Sequence, residues 1–299
     1  MGLGEKMDKF ESLLKKFDVK QKVRIGVVCP HDKVSIQAVF NPLVVDYVQP
    51  VLIGNSQIIT DLLATFDYHA EVVPSESEET SAALAVQLVK EGKLDCLMKG
   101  HLATRTFLKA IVNKELGIAE QLLTHVAVND IPNYHKLLLT TDGGMVLQPT
   151  KTEKRTLIAH GVKVMQKLGV KKPKVGLLAA AEIVNPKITS SVEAQELAAE
   201  FAETADFEIA GPISFDLATN REIAEIKHYE NPVAGEADVL VGPDITTMNV
   251  LGKSLTGFSK ATMAGIVMGA KVPIVMVSRG SNEKEKAYSI LVAMYCSKE

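Results

Sequence analysis

The feature that most constrains this chain is an alternation sustained from residue 23 to residue 296, in which short β-branched apolar runs are separated by longer segments of helical periodicity. A strand, a crossover helix and a second parallel strand bury both faces of a sheet under helices, so the pattern predicts an α/β protein with mostly parallel sheets. Strands are expected at Val23–Val28, Pro50–Ile53, Ala70–Val73 and Cys96–Met98, with helices between them. Glu78–Lys90 carries Leu84, Val86, Leu88 and Val89 among small residues and reads as an amphipathic crossover helix. Thr104–Lys114 reads as the next, entered through Lys99-Gly100-His101. From Leu122 to Thr140 the apolar runs LLTHVAV and KLLLTT flank NDIPNYH, whose Pro132 signals a turn, which predicts adjacent strands and a candidate hinge. Beyond it the pattern predicts helices at Thr150–Leu168, Ser190–Thr204, Leu217–Lys227 and Thr246–Phe258, and strands at Lys174–Leu178, Phe207–Ala210 and Asp238–Val241. Two apolar runs, AGIVMG and PIVMVS, precede a last helix at Glu283–Cys296. No internal repeat and no low-complexity segment is visible.

Composition narrows the partners. A length of 299 residues with 46% hydrophobic content allows one large or two medium domains, and two is the reading adopted. The 33 Lys and Arg against 36 Asp and Glu give a net charge of −3, which supplies no overall basic field for nucleic acid or an anionic membrane. An anionic ligand must be held by local groups. Cys29, Cys96 and Cys296 are far apart, with no C-x-x-C pair and no His/Cys cluster at metal-ligand spacing, and each reads as a reduced core thiol. The segment MGLGEKMDKFESLLKKF is charged and helix-patterned and lacks the apolar block of a signal peptide. No apolar run reaches the ~18 residues that span a bilayer, since AGIVMGAKVPIVMV is broken by Lys271 and Pro273. The expectation is a soluble, cytoplasmic protein without a bound metal.

Parallel α/β sheets bind ligands outside the carboxyl ends of their strands, which directs attention to the residues after each apolar run. Ser278-Arg279-Gly280-Ser281-Asn282 combines a hydroxyl, a guanidinium, a permissive glycine and a helix start, which suits an oxyanion or phosphate. The same residues suit a capping turn in which Ser281 or Asn282 caps the helix. Lys99-Gly100-His101 with Thr104-Arg105 repeats the logic, and Lys109 shares a helix face with Arg105 four residues before it. A solvated helix face with Thr104 as cap is the other reading. Thr140-Thr141-Asp142-Gly143-Gly144 is either a ligand loop or a glycine turn. No Walker A motif, no G-x-G-x-x-G after the first strand and no G-x-S-x-G elbow is present. His125, in an apolar run, reads as a core histidine rather than a base.

Taken together, several segments resemble the phosphate acyltransferases, which move an acyl group between coenzyme A and phosphate, and in particular the phosphate butyryltransferase branch. NPVAGEADVLVGPDITTMNVLGK, Asn231–Lys253, is similar to the family's S/N-P-V-A-G-x-A-D/N-x-L-x-x-P-D-I/L-x-x-x-N-x-x-x-K pattern. In FSKATMAGIVMGAKVPIVMVSRG, Gly269, Pro273, Ser278 and Arg279 match the final motif. MKGHLATRTFLKAIVNKE and THVAVN look like the butyryl branch, and TTDGGM sits where the family has its own strand-end Asp. The match covers most of the chain. It implies two three-layer αβα domains with an interdomain cleft, as in isocitrate and isopropylmalate dehydrogenases. One would be discontinuous, residues 1–133 plus 264–299, and the other would be residues 134–263.

The resemblance further implies that acyl-CoA and inorganic phosphate are the substrates, with no permanently bound cofactor, and that the protein forms a homodimer or larger homo-oligomer. Ser278 would hydrogen-bond the developing tetrahedral centre or thiolate, and Arg279 would hold phosphate or polarise the carbonyl. Glu285, or Glu283 if the turn differs, would be the base for the CoA thiol. Lys99, Thr104, Arg105, Lys109, Asp142 and Asn249 would bind substrate. Lys109 stands where acetyl-transferring relatives carry an Arg, which keeps the charge and loses the bidentate fork. Thr246-Thr247-Met248 departs from the more usual Glu-Ala-Gly ahead of Asn249. Butyryl is favoured as the acyl group, with a phosphate acetyltransferase acting on acetyl-CoA as the near alternative; two remoter functions remain, a metal-dependent hydroxy-acid dehydrogenase of the same fold and a non-catalytic acyl-CoA or anion binder.

Overall fold

The computed structural model describes residues 9–17, 22–204, 206–278 and 280–297. Its first half unfolds along the chain as α1 (Lys9–Lys16), β1 (Val23–Val28), α2 (Lys33–Val39), β2 (Val48–Gly54), α3 (Ser56–Phe66), β3 (Glu71–Pro74), α4 (Glu78–Lys90), β4 (Cys96–Lys99), α5 (Thr104–Ile111) and β5 (Ala119–Asp130). The second half comprises β6 (Leu138–Thr141), α6 (Lys151–Lys167), β7 (Lys174–Leu178), α7 (Thr189–Glu200), β8 (Glu208–Ile213), α8 (Phe215–Thr219), α9 (Arg221–Ile226), β9 (Val239–Val241), α10 (Ile245–Phe258), β10 (Thr262–Ala270), β11 (Ile274–Val275) and α11 (Glu283–Ser297). The first eight residues of the charged N-terminal segment lie outside the described residues.

The chain divides into two compact units, Ser12–Leu123 with Ala264–Glu299, and Thr124–Met263 with the N-terminal residues through Glu11. In the first, the strand order is β3-β2-β1-β4-β11-β10, parallel except for β10 against β11. Apart from Arg24, which pairs with Asp95, β1 is apolar, with Val23, Ile25, Val27 and Val28 buried, as befits a central parallel strand covered on both faces. α11 is buried from Ala287 through Met294, so it is a core helix and not a surface cover. The return of β11 and α11 to the N-terminal half makes this unit discontinuous.

In the second unit the order is β5-β6-β9-β7-β8, with β5 antiparallel to β6 and the rest parallel. The LLTHVAV and KLLLTT runs are adjacent strands, joined at Pro132. The division between units falls at Leu123/Thr124, ten residues before the boundary read from the sequence, because the later part of β5 is hydrogen-bonded to β6 through Ala127–Asn129. Lys9 joins the same unit: its backbone N–H and its ammonium both bond Asp130, and the ammonium also reaches the Ile131 carbonyl at 3.0 Å.

One helix expected as continuous is two. Asn220, extended at φ −129° and ψ 109°, ends α8 and caps α9 by accepting the Ile223 N–H. An Asn side chain competes for backbone donors in this way, and the apolar period of Leu217–Lys227 does not register it. No helix among the described residues is long and apolar enough to cross a membrane. Cys29 and Cys96 are buried free thiols and Cys296 is half-buried, and burial raises the pKa of both buried thiols.

Candidate active site

In the discontinuous unit, β2 and β3 lie to one side of β1 and β4 and β11 to the other, so the order reverses at β1/β4. Because β1, β2, β4 and β11 are parallel, their carboxyl ends open on one edge. A reversal of this kind leaves a crevice between diverging loops, the usual ligand position in open α/β sheets. A cavity of about 500 Å³ occupies it, lined by the segment after β1 (Asp32, Val34, Ser35), the segment after β4 (Lys99–Ala103), Val277 and Ser278 after β11, Glu78 at the start of α4 and Lys286 on α11.

Local sequence explains how these loops close. Cys29 ends β1 with a positive φ of 51°, which turns its carbonyl toward the N–H groups of His31 (2.8 Å) and His101 (2.7 Å). A Cβ on Gly100 would stand 2.4 Å from the Cys29 carbonyl oxygen and 2.6 Å from that of Val28, so only glycine lets the end of β4 pack onto β1. That contact sets Lys99 and His101 at the cavity. His31 packs against Gly54, and its Nε2 accepts the Asn55 N–H at 3.0 Å; burial and the neighbouring His101 lower its pKa.

The carboxylates of the cavity are occupied. Asp32 caps α2, accepting the Ser35 N–H at 2.8 Å and the Ser35 hydroxyl at 2.6 Å. Glu78 accepts the Ala103 N–H at 2.9 Å and ties α4 to the loop after β4. Lys99 donates to the Gly100 carbonyl at 3.2 Å.

Ser278 is exposed at the cavity, its Oγ accepting the Gly280 N–H at 3.3 Å, and Arg279 lies outside the described residues. Asn282 and Glu285 form a reciprocal pair at the start of α11: Glu285 N–H donates to Asn282 Oδ1 at 2.9 Å, and Asn282 N–H to Glu285 Oε2 at 3.1 Å. This is a capping box in which Asn282 takes the capping position. Glu283 lines a neighbouring depression with Asn41, Leu43 and Lys284.

Arg105 and Lys109 share a face of α5, as their spacing requires, and line a separate depression of about 440 Å³ with Glu79, Ala83 and Asn113. Thr104 is exposed and is the first helical residue; Ala103 takes the capping position without a side-chain bond, so Thr104 does not cap the helix.

Asp142 and Asn249 belong to the other unit. Asp142 is 3% exposed and accepts three backbone N–H groups, from His125 (2.7 Å), Gly144 (2.8 Å) and Met145 (2.7 Å). It folds the TDGGM turn against β5, and Thr141 adds a hydroxyl bond to the His125 carbonyl at 2.9 Å. Asn249, on α10, donates to the Gly143 carbonyl at 2.9 Å. Asp142 and Asn249 thus hold the same short turn, and His125 sits in tight contact with Gly144.

Sequence reasoning missed Asp32, Ser35, Glu78 and Lys286. For Asp32 and Ser35 a signal was present, since an Asp three residues before a Ser at the head of an apolar run is a helix start. Glu78 and Lys286 carry no such mark.

The fold is that of an α/β protein with a parallel sheet, and its switch-point crevice brings Lys99, Lys286, His101 and Ser278 together with Asp32 and Glu78, a lining that includes donors an oxyanion could use. Residues 64–294 match the family model described as "Phosphate acetyl/butaryl transferase". The chain is 35% identical over 297 residues to a probable phosphate butyryltransferase of Bacillus subtilis (strain 168), covering 97% of this chain and 99% of the relative. A phosphate acetyltransferase of Thermotoga maritima is 32% identical, covering 90% and 94%. Among solved structures, a branched-chain phosphotransacylase from Enterococcus faecalis V583 superposes with a TM-score of 0.84 at 34% identity, covering 92% of this chain and 99% of that one. A 4-hydroxythreonine-4-phosphate dehydrogenase from Klebsiella pneumoniae shares the fold alone, with a TM-score of 0.57 at 11% identity, covering 93% and 100%. The chain belongs to the phosphate acetyl/butyryl transferase family and is an acyltransferase.

Proposed function

We propose that this enzyme transfers a short-chain acyl group, butyryl in preference to acetyl, reversibly between coenzyme A and inorganic phosphate. In the forward direction a phosphate oxygen attacks the thioester carbonyl carbon, a tetrahedral oxyanion forms, and the C–S bond breaks to leave acyl phosphate and the CoA thiolate. Both reactants are anionic and the transition state carries its charge on oxygen, so the catalyst must gather cations and hydrogen-bond donors at one point. The observation that carries the reading is that Ser278, at the end of the family's final motif, shares the switch-point cavity with Lys99.

Ser278 donates its hydroxyl hydrogen to the oxyanion or the departing sulfur, and Arg279 holds phosphate or polarises the carbonyl. Glu285 accepts the thiol proton in the reverse direction while its backbone and carboxylate cap α11. Arg105 and Lys109 offer a second cationic face for CoA phosphates, and Asp142 and Asn249 contribute through the turn that they hold. The enzyme acts in the cytoplasm as a homodimer or larger assembly, a reading supported by the family resemblance.

The test is thiol release from butyryl-CoA, acetyl-CoA and a branched acyl-CoA, each with and without phosphate. Phosphate-dependent release, fastest with butyryl-CoA, is the expected result. Release that ignores phosphate points to a hydrolase, binding without release to a carrier, and nicotinamide reduction with a hydroxy acid to a dehydrogenase. Ser278→Ala and Arg279→Ala are each expected to lower kcat by ~100-fold or more, in the range seen when an oxyanion donor is removed. Near-normal turnover in both variants, with the fold retained, would move the site elsewhere.

A further inference from the structure

Besides Ser35, whose hydroxyl bonds Asp32, four residues with a side-chain nitrogen or hydroxyl line the switch-point cavity, and three of them, Lys99, His101 and Ser278, stand at or shortly after strand ends where the sequence directs attention. The fourth, Lys286, comes from the first turns of α11, eight residues beyond Ser278. We propose that Lys286 is a phosphate-binding residue, its ammonium fixing inorganic phosphate in this cavity beside Ser278.

The argument begins with helix geometry. The capping box of Asn282 and Glu285 sets the phase of α11, and the two lysines of its first turns then part company. Lys284 extends over the Tyr288 ring, 5.4 Å from its centroid, and lines the neighbouring depression. Lys286 lies two positions on, about 200° around the helix at 3.6 residues per turn, and lines the cavity that holds Ser278. From Ala287 through Met294 the helix is buried, and Lys286, just before this stretch, is the residue of α11 that lines the crevice.

Lys286 is half-buried, and among the described residues its ammonium makes neither a hydrogen bond nor an ion pair. Burial lowers its pKa, and the more distant Asp32 only partly opposes that shift. Asp32 is held by Ser35, whose N–H and hydroxyl each bond one of its carboxylate oxygens. A partly desolvated cation facing a polar cavity with no protein anion in contact is arranged for a ligand anion. Phosphate is compact and doubly charged near neutral pH, and three ammonium protons can reach its oxygens without the planar register that a guanidinium imposes.

The assignment deepens the proposed acyl transfer and rests on it, so the experiment separates the two. Lys286→Met keeps the stem and removes the charge, whereas Lys286→Arg keeps the charge. In the acyl-phosphate-forming direction, Lys286→Met is expected to raise KM for phosphate at least ~10-fold with KM for butyryl-CoA changed less than ~2-fold, and Lys286→Arg to recover most of the loss. Inorganic phosphate is also expected to raise the melting temperature of the wild-type protein and not that of Lys286→Met. This second readout does not depend on turnover. If the wild type releases no thiol with phosphate, acyl transfer fails while the melting series still tests Lys286. Equal stabilisation of wild type and Lys286→Met by phosphate, no stabilisation of either, or a KM effect confined to acyl-CoA would each overturn the assignment.

Discussion

At the scale of single residues, several polar groups in this enzyme act on the fold while standing near or within motifs associated with chemistry. Glu285 is the clearest, since its carboxylate closes a capping box and is also the carboxylate that family resemblance offers as the thiol base. The two roles separate by substitution. Glu285→Gln keeps an acceptor for the Asn282 N–H and removes the basicity, so it should leave the melting temperature nearly unchanged and lower kcat for acyl transfer from acyl phosphate to CoA by ~10²-fold or more. Glu285→Ala should in addition cost about 1 kcal/mol of stability by denaturant titration. His160 illustrates a buried group whose partner lies within the fold. Its Nδ1 pairs with the Thr124 hydroxyl at 2.8 Å, and burial pushes its pKa down from 6.5 to about 4. Between these values the unfolded chain takes up a proton that the folded chain refuses, so its contribution is full above pH 6.5 and is lost as pH falls toward 4. The loss amounts to as much as ~3 kcal/mol at about 1.4 kcal/mol per unit. His160→Gln should flatten this acid limb when unfolding free energy is measured from pH 7 to pH 4.

At the scale of elements, the cavity depends on how closely two strand ends approach. Gly100 is surrounded by the backbone oxygens of Val28 and Cys29, and these cannot swing away as a flexible side chain could. Gly100→Ala should therefore part β4 from β1, costing ~2 kcal/mol or more and lowering kcat/KM, with equilibrium denaturation and steady-state kinetics as the paired measurements. Gly269 shows the same requirement at φ 101°, where a Cβ would meet the Leu122 carbonyl oxygen at 2.3 Å. Element positions were largely legible in the sequence: Val23–Val28, Glu78–Lys90 and Lys174–Leu178 follow from period alone. The break at Asn220 was not, because a single side chain that bonds the backbone outweighs an apolar repeat.

At the scale of the whole molecule, the two units share the proposed site residues unequally. Ser278, Lys99, Arg105, Lys109 and Lys286 belong to the discontinuous unit, and Asp142 and Asn249 to the other. A ligand that binds only the folded protein stabilises it by RT ln(1 + [L]/Kd), about 2.7 kcal/mol at a hundredfold excess over Kd. Saturating butyryl-CoA should accordingly raise the melting temperature, and hydrogen exchange should slow first in the loops after β1, β4 and β11. Unchanged exchange in those three loops would contradict a site at the strand ends.

What the sequence determined by itself is the α/β class, the order of its elements and the family, because periodicity is local and the segments around Asn231–Lys253 and Ser278 are specific in spacing. Which carboxylates and cations share a cavity was decided by tertiary structure. Asp32, Glu78, Lys99 and Lys286 lie far apart along the chain and meet only because parallel strands bring their carboxyl ends to one edge. The capping bond of Glu285 and the three N–H bonds of Asp142 are likewise facts of folded geometry, since residue type tells which bonds a carboxylate can make and only the surrounding backbone tells which it does make.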